Sequence, residues 1–317
     1  MIATHSTSGT AAGCSRRHFL ARTAATAALG ALVAPGSWLP SLQAAEPADG
    51  KKTLVGSNAY GWTQYAARDK KPFDLDGVLS ALRDCGYDYL ESNLDSANPD
   101  NNLKYAEQCR AKGLVPVSLY TGARLHDEKA GEVVARLLKA GRACQQAGFG
   151  VISCNLDPIG REKTDAELKT QAAAAKDLGQ GLKEIGMLLG IHHHLPEMKS
   201  HAREFHHLFR NTPPEAVGFC YDVHWVWKGG ISPETALREY GSRVVTWHIR
   251  QSRNGVWIED LDTGEVDYDA VAKYAKARHL PRRFSVELAL EGGTQITRSA
   301  IENHRRSREF IRKVFES

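Results

Sequence analysis

The sequence predicts an α/β fold, a single (β/α)8 TIM barrel preceded by a cleavable signal segment. Three observations carry that expectation. Eight short apolar runs alternate with helical periodicities at intervals of about 30 residues. Several helical stretches stop at a glycine that launches the next run, as at Cys85-Gly86, Lys112-Gly113, Ala147-Gly148 and Leu189-Gly190. The last four runs end in a matching polar set: His192-His193-His194, Asp222-Val223-His224, His248-Ile249-Arg250 and Glu287. Residues at the ends of strands separated by helices converge only when those strands lie parallel around one axis, and the barrel mouth is where they meet.

The leader comes first. Ser15-Arg16-Arg17-His18-Phe19-Leu20 reads as a twin-arginine signal, followed by an Ala-rich apolar stretch from Ala21 to Ala34 and a cut near Leu42-Gln43-Ala44. That stretch is too short for a membrane span. The expected divisions are therefore a signal peptide at 1–44, a linker at 45–52 and the barrel at 53–317, with export and a periplasmic location for the mature protein. Cleavage leaves 317 − 44 = 273 residues, which fits one barrel of about 250 residues. The formal charge of +4 includes the arginines of the leader, so the mature chain is near neutral and nothing asks for nucleic acid. Beyond the leader lie Cys85, Cys109, Cys144, Cys154 and Cys220, an odd set without a CxxC pair; these read as small buried residues and not as a disulfide framework.

Strands are expected at 53–57, 87–91, 115–120, 151–155, 188–192, 217–222, 244–248 and 284–288. Helices are expected at 75–85, 103–112, 132–147, 165–185, 202–209, 233–240, 268–277 and 301–315. Chemistry in a parallel barrel sits at the carboxyl ends of the strands. His192 and His194 are two apart and point to the same side of an extended segment; Asp222 and His224 repeat that spacing one unit later. A carboxylate that ends an apolar strand needs a partner, and four such strand-end groups in register, His192, Asp222, His248 and Glu287, point to one divalent metal. Asn58, Tyr60 and Trp62 after the first strand and Arg250, Arg253 and Trp257 after the seventh are candidates to contact substrate, aromatics against a sugar face and arginines against an anionic group. Glu291-Gly292-Gly293-Thr294 is a weak phosphate signal. His206, His207, His279 and His304 fall in helical patterns and are expected at the surface.

From residue 53 onward the chain resembles the xylose isomerase-like barrel superfamily, the sugar phosphate isomerase/epimerase group that includes tagatose-type epimerases, inosose dehydratases and endonuclease IV. The resemblance rests on Tyr89-Leu90-Glu91-Ser92, Gly190-Ile191-His192-His193-His194-Leu195-Pro196-Glu197, Tyr221-Asp222-Val223-His224-Trp225, Trp247-His248-Ile249-Arg250-Gln251 and Val286-Glu287-Leu288. It implies metal ligands at Asp222, His248 and Glu287; where relatives carry a fifth-strand Glu, this chain offers histidines, and register puts the ligand at His192. Two imidazoles and two carboxylates favour manganese, cobalt, iron or zinc over magnesium. The implied reaction is abstraction of a proton next to a carbonyl, with the metal stabilising the enediolate. Glu287 is the expected base, and His194, Glu197 or Glu91 the second proton-transfer group. Asn58, Trp62, Glu91, His224, Arg250 and Trp257 complete the expected substrate contacts.

The leading expectation is a metal-dependent isomerase or epimerase of a free sugar or keto-sugar. The runner-up is a lyase or dehydratase on a keto-sugar of the 3-keto-glycoside or inosose type, functionally linked to a sugar oxidoreductase. A non-catalytic sugar-binding barrel and a repair nuclease are the alternatives of other classes; the first has no need of an open metal position, and the second needs further metal ligands.

Overall fold

The structure, a computed structural model, describes residues 52–317. The Arg16-Arg17 motif, the Ala-rich stretch and the expected cut site lie outside the described residues. Eight parallel strands close into a barrel: β1 (Leu54–Asn58), β2 (Tyr89–Asn93), β3 (Ser118–Ala123), β4 (Val151–Leu156), β5 (Leu188–His192), β6 (Gly218–Asp222), β7 (Val244–Ile249) and, after a two-stranded hairpin of β8 (Gln251–Arg253) and β9 (Val256–Ile258), β10 (Arg283–Val286), which pairs with both β7 and β1. The expected strands are all present. The third begins at Ser118 and not at 115, where Val115 is exposed beside Pro116. The last ends at Val286, so Glu287 stands just beyond its strand.

Helices α1 (Ala59–Arg68), α2 (Leu75–Asp84), α3 (Asp100–Ala111), α4 (Ala130–Gln146), α5 (Asp165–Glu184), α6 (Lys199–Arg210), α7 (Val223–Lys228), α8 (Pro233–Tyr240), α9 (Tyr268–Ala277) and α10 (Ala300–Ile311) surround the strands. The apolar core lies between the two layers, where Leu79, Leu82, Phe205, Phe209, Phe219 and Phe284 are essentially inaccessible. Two short helices at the mouth went unseen in the periodicity because each is set by a cap. Asn58 Oδ1 accepts from Tyr60 N at 2.9 Å and starts α1; Asp222 Oδ1 accepts from Trp225 N at 2.7 Å and starts α7. The hairpin was missed too, although Asn254-Gly255 carries its signal: both residues have positive φ, 53° and 73°, as a two-residue turn between paired strands requires. Ser200, His201 and Ala202 form a left-handed turn, φ 49°, 58° and 57°, so regular right-handed helix in α6 begins at about the position the periodicity indicates.

His304 is a correction. It is buried in α10, where its Nε2 lies 2.8 Å from Ser57 Oγ and its ring stacks on Trp62 at 4.1 Å. The cysteines are buried and free, as expected. Among the described residues no helix is long and apolar enough to cross a membrane.

Candidate active site

Register brings the strand-end groups to one level. Asn155 on β4 pairs with His192 on β5, and Asp222 on β6 pairs with His248 on β7. The second pairing depends on a shift of register between Phe219 and Cys220, the kind of irregularity that re-aims a side chain at a barrel rim. The result is a cluster in which His192, Asp222, His248 and Glu287 each offer a ligand atom, all within 4.8 Å of one another.

These residues fit a divalent ion. His192 is 1% exposed and neither of its ring nitrogens has a hydrogen-bond partner, although Nε2 lies 3.3 Å from Asp222 Oδ2. A buried imidazole with two orphaned nitrogens is an unmet demand for a partner. Two imidazoles and two carboxylates are a donor set for a borderline metal at bond lengths of about 2.1 Å. Burial pushes the His192 pKa down, which keeps the ring in the form that binds a metal.

Arg250 sits among the same groups. Its Nη2 donates to Asp222 Oδ2 at 2.8 Å and lies 2.5 Å from Glu287 Oε2, while its guanidinium packs over Trp257 at 4.6 Å and Trp225 at 5.4 Å. Burial alone would raise the carboxyl pKa values of Asp222 and Glu287. The Arg250 charge outweighs it and, with His248 beside it, holds Glu287 at about 2; Arg250 and His192 hold Asp222 well below the carboxylate range. His248 is fully buried. Its Nδ1 lies 3.0 Å from Glu287 Oε2 and its Nε2 2.6 Å from Glu91 Oε2. Burial would lower its pKa, but Cys220 and the flanking carboxylates raise it well above the usual value.

Above the cluster opens a cavity of about 390 Å³ lined by Asn58, Ala59, Tyr60, Thr63, Asn93, Tyr120, Asn155, His192, His194, Trp225, Arg250, Trp257 and Glu287. Of the residues expected to meet substrate, Asn58, Tyr60, Arg250, Trp257, His194 and Glu287 line it. Five do not. Trp62 turns toward α10, donating to Ser57 Oγ at 3.0 Å. His224 turns toward the β8–β9 hairpin, with Nε2 2.9 Å from Ser252 Oγ. Glu91 lies beneath the cluster, accepting from Asn58 Nδ2 at 3.0 Å and Ser153 Oγ at 2.8 Å. Glu197 is 1% exposed and accepts from the His194 backbone N–H at 2.8 Å; burial raises its pKa to about 7. It supports the His194 backbone, and His194 is the one member of the pair that reaches the cavity. Burial lowers the His194 pKa to about 3, so its ring is neutral near pH 7.

Arg253 is exposed and bonds Thr263, away from the cavity. Asn93, Asn155, Tyr120, Thr63 and Trp225 line the cavity and were not among the expected contacts. Asn93 ends β2 and Asn155 is one residue from the end of β4, so the strand-end rule applied to uncharged residues would have found these two; Tyr120 lies in the middle of β3 and carries no such signal.

An inosose dehydratase of Clostridium tetani (strain Massachusetts / E88) is 31% identical over 102 residues, 31% of this chain and 34% of that protein, so the match spans about a third of the relative. Among solved structures, a sugar phosphate isomerase/epimerase from Parabacteroides distasonis ATCC 8503 is similar with a TM-score of 0.65 and 20% identity, covering 86% of this chain and 98% of that one. The 3-keto-D-glucoside 4-epimerase of E. coli is similar with a TM-score of 0.59 and 15% identity, covering 83% and 100%. At these identities the structural likenesses bear on the fold. The model of the xylose isomerase-like TIM barrel matches residues 79–314, and the chain belongs to that family.

Proposed function

We propose that this barrel is a metal-dependent isomerase or epimerase that removes the proton next to the carbonyl of an unphosphorylated sugar or keto-sugar. The observation that carries the reading is the convergence of His192, Asp222, His248 and Glu287 at the base of a cavity whose walls are amide and aromatic. Among the described residues lining that cavity the one cation is Arg250, and it is committed to Asp222 and Glu287. A phosphate dianion finds no free cation there, whereas the hydroxyls of a neutral ring find Asn58, Asn93, Asn155 and Tyr120.

A divalent ion held by His192, Asp222, His248 and Glu287, manganese, cobalt, iron or zinc by the donor set, would supply Lewis acidity at the substrate carbonyl. The protein does the rest. Glu287 is ionised across the working range and accepts the proton from carbon. Neutral His194 is the second proton-transfer group: its free ring nitrogen takes a proton before the ring can deliver one. Trp225 and Trp257 present apolar faces that keep water from the reacting carbon.

A second reading, dehydration or β-elimination of a keto-sugar, is favoured by one feature: the second proton-transfer group in the cavity is an imidazole and not a carboxylate. A ring N–H at His194 suits a hydrogen bond to a departing hydroxyl, and the relative from Clostridium tetani carries the name of a dehydratase. We place the substrate outside the cytoplasm on the strength of the Arg16-Arg17 leader, with keto-sugars arising from an oxidoreductase acting upstream.

The test is solvent exchange in deuterated water with metal-loaded protein and a panel of free, 3-keto- and phosphorylated sugars. Deuterium should enter the carbon next to the carbonyl of neutral substrates, and Glu287→Gln should slow that exchange about 10²- to 10⁴-fold. Exchange in Glu287→Gln as fast as in the parent would place the base elsewhere. Recovery of an isomer separates the first reading from the second, which yields an unsaturated or deoxy product; a protein that binds sugar with no exchange is a binding module.

A further inference from the structure

The chemistry above leaves Glu91, a fully buried carboxylate, unused. It lies in the middle of β2 and outside the cavity lining. Residues from three other strands converge on it: Asn58 of β1 donates to Oε2 at 3.0 Å, Ser153 of β4 donates to Oε1 at 2.8 Å, and His248 of β7 brings Nε2 within 2.6 Å of Oε2. An ionised carboxylate in a barrel interior costs several kcal/mol unless it is compensated, so a site with this many partners has a role that repays it. Nδ1 of the same imidazole faces Glu287 at 3.0 Å. The ring is thus held between a carboxylate of the ligand cluster and a carboxylate below it.

We propose that Glu91 is the positioning residue of the metal centre: facing His248 Nε2 across 2.6 Å, it orients the ring with Nδ1 toward the metal, and it supplies the charge that makes the loaded site neutral. This rests on the reading of the four-residue cluster as a metal site. The charge argument is independent of that contact. Asp222, Glu287 and Glu91 together carry three negative charges, and Arg250 with a divalent ion carries three positive charges, all in essentially inaccessible surroundings. Asp222 and Glu287 alone would leave a net positive charge beside Arg250, and an uncompensated charge in a low-dielectric interior weakens binding of the ion that brings it. A carboxylate behind a ligating histidine fixes the ring and its tautomer and raises its basicity.

The experiment is a zinc titration against a competing chelator, with folding checked by circular dichroism. Glu91→Gln keeps shape and removes charge; its zinc affinity should fall about 10- to 100-fold against the parent. Ser153→Ala keeps the charge and removes one of the groups that aim it, so it should lower affinity severalfold, and it carries the test should Glu91→Gln fail to fold. The cobalt-loaded parent and Glu91→Gln should also differ in their visible absorption, since ring orientation and ligand basicity set the ligand field. Equal zinc affinity in the parent and in the folded variants overturns the positioning role while leaving the metal centre intact. A parent that binds no divalent ion overturns both together.

Discussion

Replacing Arg250 with Met removes a charge while keeping an apolar side chain between Trp225 and Trp257. In the parent the guanidinium lies 2.8 Å from Asp222 and 2.5 Å from Glu287, whose side chains are 1% and 9% exposed. Removing one partner of a buried pair costs about 3–5 kcal/mol, because the other charge stays buried. Here the lower end applies: Asp222 keeps the Trp225 N–H and His192, and Glu287 keeps His248. At about 2–4 °C per kcal/mol for a chain of this size, the metal-free variant should melt roughly 6–12 °C below the parent. A divalent ion changes the result, since it supplies the missing positive charge between the same carboxylates. At 100 times its Kd it adds about 2.7 kcal/mol, so the metal-loaded variant should recover most of the loss. Paired thermal melts in chelator and in excess manganese or zinc are the assay. A chelated variant that melts with the parent would show that the two ion pairs contribute nothing to stability. A variant destabilised in chelator but unmoved by metal would show that Asp222 and Glu287 are not ligands.

Glu197 makes stability depend on pH in a defined direction. Burial raises its pKa from the usual 4.5 to about 7, so the folded protein holds this proton more tightly than the unfolded chain; its contribution is complete below pH 4.5 and is lost as pH rises to 7. Glu197→Gln, neutral throughout, should therefore melt several degrees above the parent at pH 8, the shift being worth about 3 kcal/mol at most, and level with it near pH 4.5. Parallel melting curves for the two proteins from pH 4.5 to 8 would rule out a proton on Glu197. Changing Arg16 and Arg17 together to Lys should leave the precursor uncleaved in the cytoplasm; normal processing of that double variant would remove the argument for an exported substrate.

The barrel was legible because its signals are local. Short β-rich runs, glycine stops and strand-end polar residues all follow from neighbouring positions, and parallel closure turns them into a shared mouth. Height within the barrel is another matter. The sequence puts Glu91 at the end of its strand, but β2 runs on to Asn93, and pairing of Glu91 with Asn58, and of Ser285 with His248, sets it below the cluster. Such offsets come from register between strands far apart in the chain, which periodicity does not carry. His304 misled for a related reason. The buried stripe of α10 contains Asn303, His304 and Ser307, polar residues placed inward, and Asn303 and His304 find partners in Glu259, Tyr65 and Ser57. Hydrophobic patterning reads them as surface; only the tertiary hydrogen bonds explain them.

The same distinction bears on mechanism. Both histidine spacings in the sequence, His192 to His194 and Asp222 to His224, suggest two inward-facing groups per strand end, but the chain ceases to be extended at different points. Beyond His192 it stays extended through His194, whose φ and ψ are −116° and −175°, so that ring reaches the cavity. Asp222 instead caps α7, helix begins at Val223, and His224 is carried round toward Ser252 while Trp225 takes the place on the cavity wall. A cap that serves folding thus decides which side chains line the cavity. It leaves Glu287 as the one carboxylate on the wall, with neutral His194 and an amide-lined surface beside it. Reversible proton transfer between two equivalent bases is not what that pairing favours; a strong asymmetry between proton acceptor and proton donor is. On the proposed reading, the ratio of solvent exchange to product formation reports how long the abstracted proton stays on Glu287, and the identity of the product divides isomerisation from elimination.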